Sequence, residues 1–549
     1  MRPVHRQLGD LVTRGDTDGR KPWLALVPAL LIFAIAVLIF GAAQNVWIDE
    51  TTQLSGATLT PGPLIAWLTG ALKLPFGVPG DRMPPLSYFI DMIGWRIWGG
   101  NELAFRLYHA AIAGAGLAVL VVATACRFGT RAALIAGLIL ALSPKLIETA
   151  VEIRAYPIFF ALSCAQAAMI VRGDVAGSIG RLALFLLLGL LSGYTHFFGI
   201  VATSAYFVAV FIGARDGRAA VRVVLGYGLL LLAWAGLSPF IFGATSLSNT
   251  SLVAATDAGN LASFLALLLG HSALLLHPAV ALCYFGGAVV LAALGAAGLA
   301  KMLVRTGLPA RHDPAMGLAL ALLAGIVVVI AAAFVVRGFT TLSPRYNIWM
   351  LPPIALLIAL AADGVIAPEG RLPRILRYGA LAVFALGAAL GYVGFLKRAD
   401  WFIHGPSRSF DALVTKAGPS VAVVHVGSGW AWGYFPLYRL HRDTVPQWLL
   451  APDGQSLVRI TQGGDATGAR QPLAALDGYD TVVAGRVDLL SYTDLRALEP
   501  MPSVTGDLLP ALALAGWRSD APLYQPGNYA FTGQLYHKRP APSPIDRKE

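Results

Sequence analysis

Cysteine is nearly missing from this chain. Cys126, Cys164 and Cys283 are its three cysteines in 549 residues, and each falls in an apolar stretch. A fold stapled by a disulfide framework is excluded on that ground. Charge is scarce as well: 13% of the residues are Asp, Glu, Lys or Arg, against about 25% in ordinary globular domains. A soluble enzyme does not look like this. Acids are the rarer sign, 30 against 41 Lys and Arg, so the formal net charge is +11 and the pI ≈ 9.6. Nucleic acid is not the implied partner, because the basic residues are dispersed between apolar segments, as orientation of a membrane protein by cytoplasmic positive charge requires. Clusters of His, Asp and Glu with metal-ligand spacing are lacking too. His271 and His277 are too far apart to share a helix face convincingly. No metal site is assigned; a divalent ion stays open, since Asp49, Glu50 and a distant His could converge. No internal repeat or long low-complexity tract is present.

What is there is hydrophobic residue in long runs: 56% of the chain, with a mean hydropathy of +0.66. This predicts a mainly α, polytopic transmembrane bundle with a small α/β domain at its C-terminal end. Residues 1–22 are basic and expected in the cytoplasm, and Trp23–Ala43 has about the 20 residues needed to cross a bilayer as a retained anchor. The loop 44–102 then emerges on the outer side. Leu86–Trp98 is short and broken by Asp91 and Arg96, and parity decides its fate. If it does not cross, the links carrying Arg127/Arg131, Arg172/Arg181, Arg215/Arg218/Arg222, Lys301/Arg305/Arg311 and Arg371/Arg374/Arg377 all fall in the cytoplasm; if it crosses, they all fall outside. The positive-inside rule selects the first arrangement, giving about eleven spans and a catalytic module over 23–396. Leu261–His277 reads as a surface helix of a loop. After Lys397-Arg398 the composition changes: Ser420–Val426 alternates as a strand, Asp480–Ala484 is a short strand, Ser491-Tyr492-Thr493-Asp494 reads as a capping box, and Tyr529–His537 closes the sheet. Residues 397–549 are therefore expected as a periplasmic α/β domain. Gly427-Ser428-Gly429 reads as a strand-to-helix turn or a weak phosphate loop.

This topology gathers several polar residues at the outer face. Asp49-Glu50, flanked by Trp47 and Ile48, reads either as two solvated loop acids or as a carboxylate among apolar groups suited to act as a base. On a helix the two point about 100° apart, so one of them reaches a reacting atom. Arg82 precedes Pro84-Pro85 and is presented from a stiff turn, or anchors to headgroups. Glu152 and Tyr156, four apart, are expected on one helix face with Arg154 off it; an ion pair within Glu152-Ile153-Arg154 is the other reading. His196, in Tyr194-Thr195-His196, is a structural hydrogen-bonder or a contact to substrate. Arg345-Tyr346 offers a planar fork and a hydroxyl to phosphate oxygens, or an interfacial anchor.

Taken in order, these pieces resemble the C-type (GT-C) integral-membrane glycosyltransferases, a superfamily that includes the protein O-mannosyltransferases, the lipid A aminoarabinose transferases and bacterial lipopolysaccharide-core transferases. The resemblance is carried by Asp49-Glu50 after the first span, Pro84-Pro85-Leu86-Ser87-Tyr88, Arg106 opening the next span, the run Ser143 to Tyr156, Tyr194 to His196, and Arg345-Tyr346. It covers roughly residues 20–365. One departure is Met83, where relatives commonly carry a His before Pro-Pro. The resemblance implies a sugar donor on a polyprenyl phosphate, transfer with inversion to a hydroxyl of a lipid, glycan or protein, and a site on the periplasmic side of a bacterial inner membrane. It implies Asp49 as general base with Glu50 orienting or substituting, Arg82, Arg154, Arg345 and Tyr346 on the donor phosphate, and Glu152, Tyr156 and His196 on the substrate. A transporter or lipid-linked-sugar flippase is the rival class; it calls for ionisable groups deep within spans and repeat symmetry.

Overall fold

A computed structural model describes residues 21–44, 46, 48–72, 83–98, 101–242, 264–267, 278–307, 312–335, 342–397, 407–426, 445–459, 470–489, 507–525 and 529–538. Arg82, most of Leu261–His277, Gly427-Ser428-Gly429 and the Ser491–Asp494 capping box lie outside the described residues.

The chain enters with α1 (Trp23–Ala43), followed by α2 (Ile48–Ala57), α3 (Pro61–Leu68) and α4 (Leu86–Trp98). At 13 residues α4 is about 20 Å long, short of the roughly 30 Å of a hydrocarbon core. It packs Ser87, Tyr88, Asp91, Met92 and Gly94 inward and exposes Ile93, Ile97 and Trp98. Then come α5 (Glu102–Phe128), α6 (Thr130–Ala141), α7 (Pro144–Ala150), α8 (Tyr156–Arg172), α9 (Ile179–Thr195), α10 (Phe198–Ile212) and α11 (Gly217–Ala235). After α12 (Ser238–Phe242), the bundle is completed by α13 (Pro278–Thr306), α14 (Pro314–Val335), α15 (Leu351–Asp363) and α16 (Arg371–Lys397). Among the described residues six helices are long and apolar enough to cross a membrane; α6 and α7 make a seventh candidate span bent by 65°, and four shorter apolar helices accompany them. About eleven spans are expected from the sequence; of the described helices six, or seven with the bent pair, have the length and composition to cross, and the remaining four apolar helices are shorter. The bend has a local cause. Pro144 opens α7, and the Ser143 side chain accepts the Leu146 amide, so a new helix starts where α6 stops.

Helices meet through small residues, as they do where lipid supplies no drive to bury apolar surface. A Cβ on Gly116 of α5 would stand 2.5 Å from the Ala161 Cα of α8, so those backbones touch only because residue 116 is Gly. On the outer side α11 exposes Leu225, Leu229 and Leu232, spaced as one helical stripe facing lipid.

Beyond the bundle, α17 (Ser407–Ala417) precedes a sheet whose strands among the described residues are β1 (Val421–Val426), β2 (Gln447–Leu450), β3 (Ser456–Arg459), β4 (Gln471–Pro472), β5 (Thr481–Leu489), β6 (Arg518–Ser519), β7 (Leu523–Gln525) and β8 (Tyr529–His537). Their order is β4-β3-β2-β1-β5-β8-β6, with β7 also paired to β8. Central β1 runs parallel to β2 and β5, and β8 pairs antiparallel with β5. Being covered on both faces, β1 is almost continuously apolar. Val421 and Val423 pack with Phe410 and Val414 of α17, while Ala422 and Val424 pack on the other face with Trp448 and Trp517. Arg408 of α17 ties this unit to the bundle, donating to the Ala42 carbonyl at 2.6 Å and standing 3.9 Å from Glu102.

Candidate active site

Four separate segments supply the site: the first turn of α2, the link Val151–Ala155 with the start of α8 that follows it, the link between α9 and α10, and the turn Ser343–Asn347 ahead of α15.

The two acids of α2 part company. Asp49 Oδ2 lies 3.5 Å from Arg345 Nη1, with 33% and 29% of the two side chains exposed. Glu50 turns inward. Its carboxylate accepts from Arg106 Nη1 and Nη2 at 2.6 and 2.8 Å, and Oε1 also accepts the Ile153 amide at 2.9 Å. Glu50 and Arg106 keep 1% and 2% of their side-chain surface. Arg106 in turn binds the Val151 carbonyl at 3.0 Å and Glu102 at 2.9 Å. The expected 100° split is therefore present, and it is Asp49 that stays open.

The 151–156 stretch departs from its expected form. Residues 151–155 are bends, and α8 begins at Tyr156 with Pro157 in its first turn. Glu152 and Tyr156 thus do not share a helix face; the proline, which lacks an N–H and disfavours helix before it, starts the helix too late. The bends serve the site nonetheless. Arg154 Nη1 donates to the Asp49 carbonyl at 3.0 Å, and Glu152 Oε1 stands 3.9 Å from Arg345 Nη1. Asp49 and Glu152 therefore face one guanidinium.

Aromatic rings line the adjoining wall. His196 stacks on Phe159 with centroids 5.3 Å apart and 7° between planes, and lies 5.4 Å from Tyr156 and 5.6 Å from Tyr346. Tyr346 also meets Phe198 at 5.4 Å, and its ring lies under Arg345 at 5.5 Å. Burial, together with the charges of Arg154 and Arg345, pushes His196 down to about 3, so its ring is neutral. His196 Nδ1 accepts the Phe198 amide at 3.1 Å; in a neutral ring that leaves the proton on Nε2.

The structure thus brings together Asp49, Glu152, Arg154, Tyr156, His196, Arg345 and Tyr346, and sets Glu50 behind them. Among the described residues no group of three or more His, Cys, Asp or Glu stands together as a metal site. The residues that sequence reasoning passed over are Gln53 and His109. Gln53 Nε2 donates to Asp91 Oδ2 at 2.6 Å and to Ser87 Oγ at 3.3 Å, and His109 Nε2 lies 2.8 Å from Asp91 Oδ1. The available signal was the spacing: Arg106 and His109 are three apart on α5, as Glu50 and Gln53 are on α2.

No family model and no curated protein matches the chain. Among solved structures it is similar to ArnT from Cupriavidus metallidurans bound to undecaprenyl phosphate, at 16% identity and a TM-score of 0.49, over 92% of this chain and 97% of that one. It is also similar to the archaeal oligosaccharyltransferase AglB from Archaeoglobus fulgidus in complex with an inhibitory peptide and a dolichol-phosphate, at 14% identity and a TM-score of 0.43, over 83% of this chain and 69% of that one.

Proposed function

We propose that this chain is a GT-C-type membrane glycosyltransferase that moves a sugar from a polyprenyl-phosphate carrier to an acceptor hydroxyl, with inversion, on the periplasmic face of a bacterial inner membrane. The observation that carries this reading is an open carboxylate, Asp49, held 3.5 Å from Arg345 at the mouth of an apolar helix bundle. Asp49 takes the proton of the acceptor hydroxyl as its oxygen attacks the anomeric carbon. The bond from that carbon to the phosphate oxygen breaks, and the phosphate leaves with the electron pair. Arg345 and Arg154 meet the charge that develops there, fixed in place before the reaction starts. Arg82 remains a third candidate cation for the same phosphate.

Asp49 and Glu152 stand beside Arg154, Arg345 and a neutral imidazole, so the two guanidiniums are the described cations that face a donor phosphate. Glu152 holds Arg345 and contacts the sugar, while Tyr156, His196 and Tyr346 form the aromatic wall against the sugar and the start of the lipid. Glu50 orients the helix bearing Asp49 and, in this reading, takes no proton. No step is assigned to a metal.

Purified protein incubated with a radiolabelled polyprenyl-phosphate sugar and a membrane extract tests the reading. Transferred label that disappears in Asp49→Asn is the expected result. Movement of the lipid-linked sugar across vesicles without transfer would make the chain a transporter instead.

A further inference from the structure

Helix α2 is held at two points one turn apart. The first is the Glu50–Arg106 ion pair. The second is Gln53, which donates to Asp91, whose other oxygen meets His109. Gln53, Ser87, Asp91 and His109 all have 0% exposure. Successive helix residues turn by about 100°, which sets Gln53 about 40° from Asp49 around the axis, with Glu50 about 100° away in the same sense. Asp49 therefore sits on the rim of the buried face, beside the second anchor. A Cβ on Gly56 would stand 2.5 Å from the Tyr88 ring and 2.6 Å from Trp67, so α2 also lies hard against α4 and α3.

From this we infer that Asp91 and His109 form a positioning pair which, through Gln53, sets the rotation of α2 and so the aim of Asp49; the inference rests on the role proposed for Asp49. Apolar packing alone would hold α2 against α4, but it leaves rotation loosely specified, because such contacts have little directionality. Asp91 takes a directional hydrogen bond from Gln53 at 2.6 Å, while its other oxygen stands 2.8 Å from the His109 ring without an aligned hydrogen bond; the Gln53 bond fixes the angle, and the close His109 contact holds the carboxylate where Gln53 meets it. The margin is narrow. A turn of roughly 20° moves a side-chain group about 5 Å from the helix axis by about 2 Å. Asp49 would then leave Arg345, and a misplacement of about 1 Å is enough to slow a reaction about 100-fold.

Three full-length variants in lipid nanodiscs, Asp91→Leu, Asp91→Asn and Gln53→Leu, test this by cryo-electron microscopy and by steady-state kinetics. In Asp91→Leu the Asp49–Arg345 separation is expected to open past about 4 Å, the limit of an ion pair. Its kcat is expected to fall about 100-fold while the donor KM stays within about twofold. Asp91→Asn, which still accepts from Gln53, is expected to recover most of that loss. Gln53→Leu leaves the Asp91–His109 contact intact, so it reports on the same question if Asp91→Leu does not fold. Combining the two leucine changes should add little to either alone. A map of either leucine variant with Asp49 still within about 4 Å of Arg345 overturns the inference. The map reads the geometry directly, so wild-type protein inactive on the polyprenyl-phosphate sugar would count against the proposed reaction and not against the positioning.

Discussion

Glu50 and Arg106, 56 residues apart in the chain, close a two-pronged ion pair that also draws in the Ile153 amide and the Val151 carbonyl. One buried carboxylate thereby joins α2, α5 and the link that carries Glu152 and Arg154. It frees the neighbouring Asp49 to face Arg345.

Glu50→Gln should therefore act on stability first. Breaking one side of a buried pair costs about 3–5 kcal/mol; because Arg106 keeps Glu102 and Val151, the lower end is expected. Thermal unfolding of the detergent-solubilised protein reads the loss. Turnover per folded molecule should stay within about tenfold of wild type, a fall well short of what loss of a general base causes.

Asp49→Asn should do the opposite. The side chain is a third exposed, so the unfolding temperature should hardly move. Turnover should fall by about 10²–10⁴-fold, the contribution of a placed general base. Retained transfer in this variant would remove Asp49 from the mechanism.

At Arg345 shape matters as well as charge. Arg345→Met should cost about 10²–10³-fold in kcat, as loss of one donor to a developing charge does. Arg345→Lys keeps the charge but loses the planar guanidinium, whose Nη1 faces both Asp49 and Glu152. It should recover part of the rate, and single-turnover measurements with bound donor separate that effect from weaker binding.

The sheet should carry its own response to pH. Burial lowers His425 to about 4, against the opposing pull of its contact with Gln447 at 3.0 Å. Between about pH 6.5 and 4 the unfolded sheet binds the proton and the folded one does not. The stability of this sheet is thus full above that window and falls as pH drops through it, by roughly 3 kcal/mol in all. Hydrogen exchange at the β1 amides measures it locally, and His425→Phe should flatten the dependence.

Some of this was legible in the residues alone. Hydropathy is a local property, so the apolar segments, the short α4 and the strands at Val421–Val426 and Tyr529–His537 could be read directly. The parity argument from the basic links, and not length, kept α4 from being counted as a span, since α15 is equally short at 13 residues. The split between Asp49 and Glu50 follows from helical geometry. Which of the two stays open does not, since Glu50's partners lie 56 and 103 residues away. The expected helix through Glu152 and Tyr156 failed because Pro157 delays its start.

By itself the sequence determined that this is a many-span membrane protein with a sheet at its C-terminal end, and that its ionisable groups collect where spans begin and stop. Those properties follow from burial preference and chain periodicity over a dozen or so neighbouring residues. Only the tertiary structure decided that Glu50 goes to Arg106, Asp49 to Arg345, and Gln53 to Asp91 and His109. Each of those pairings depends on how separate helices meet: close contacts such as Gly56 on Tyr88 bring α2 against α4, and polar partners distant in the chain set the angle between them, which no local stretch of chain specifies.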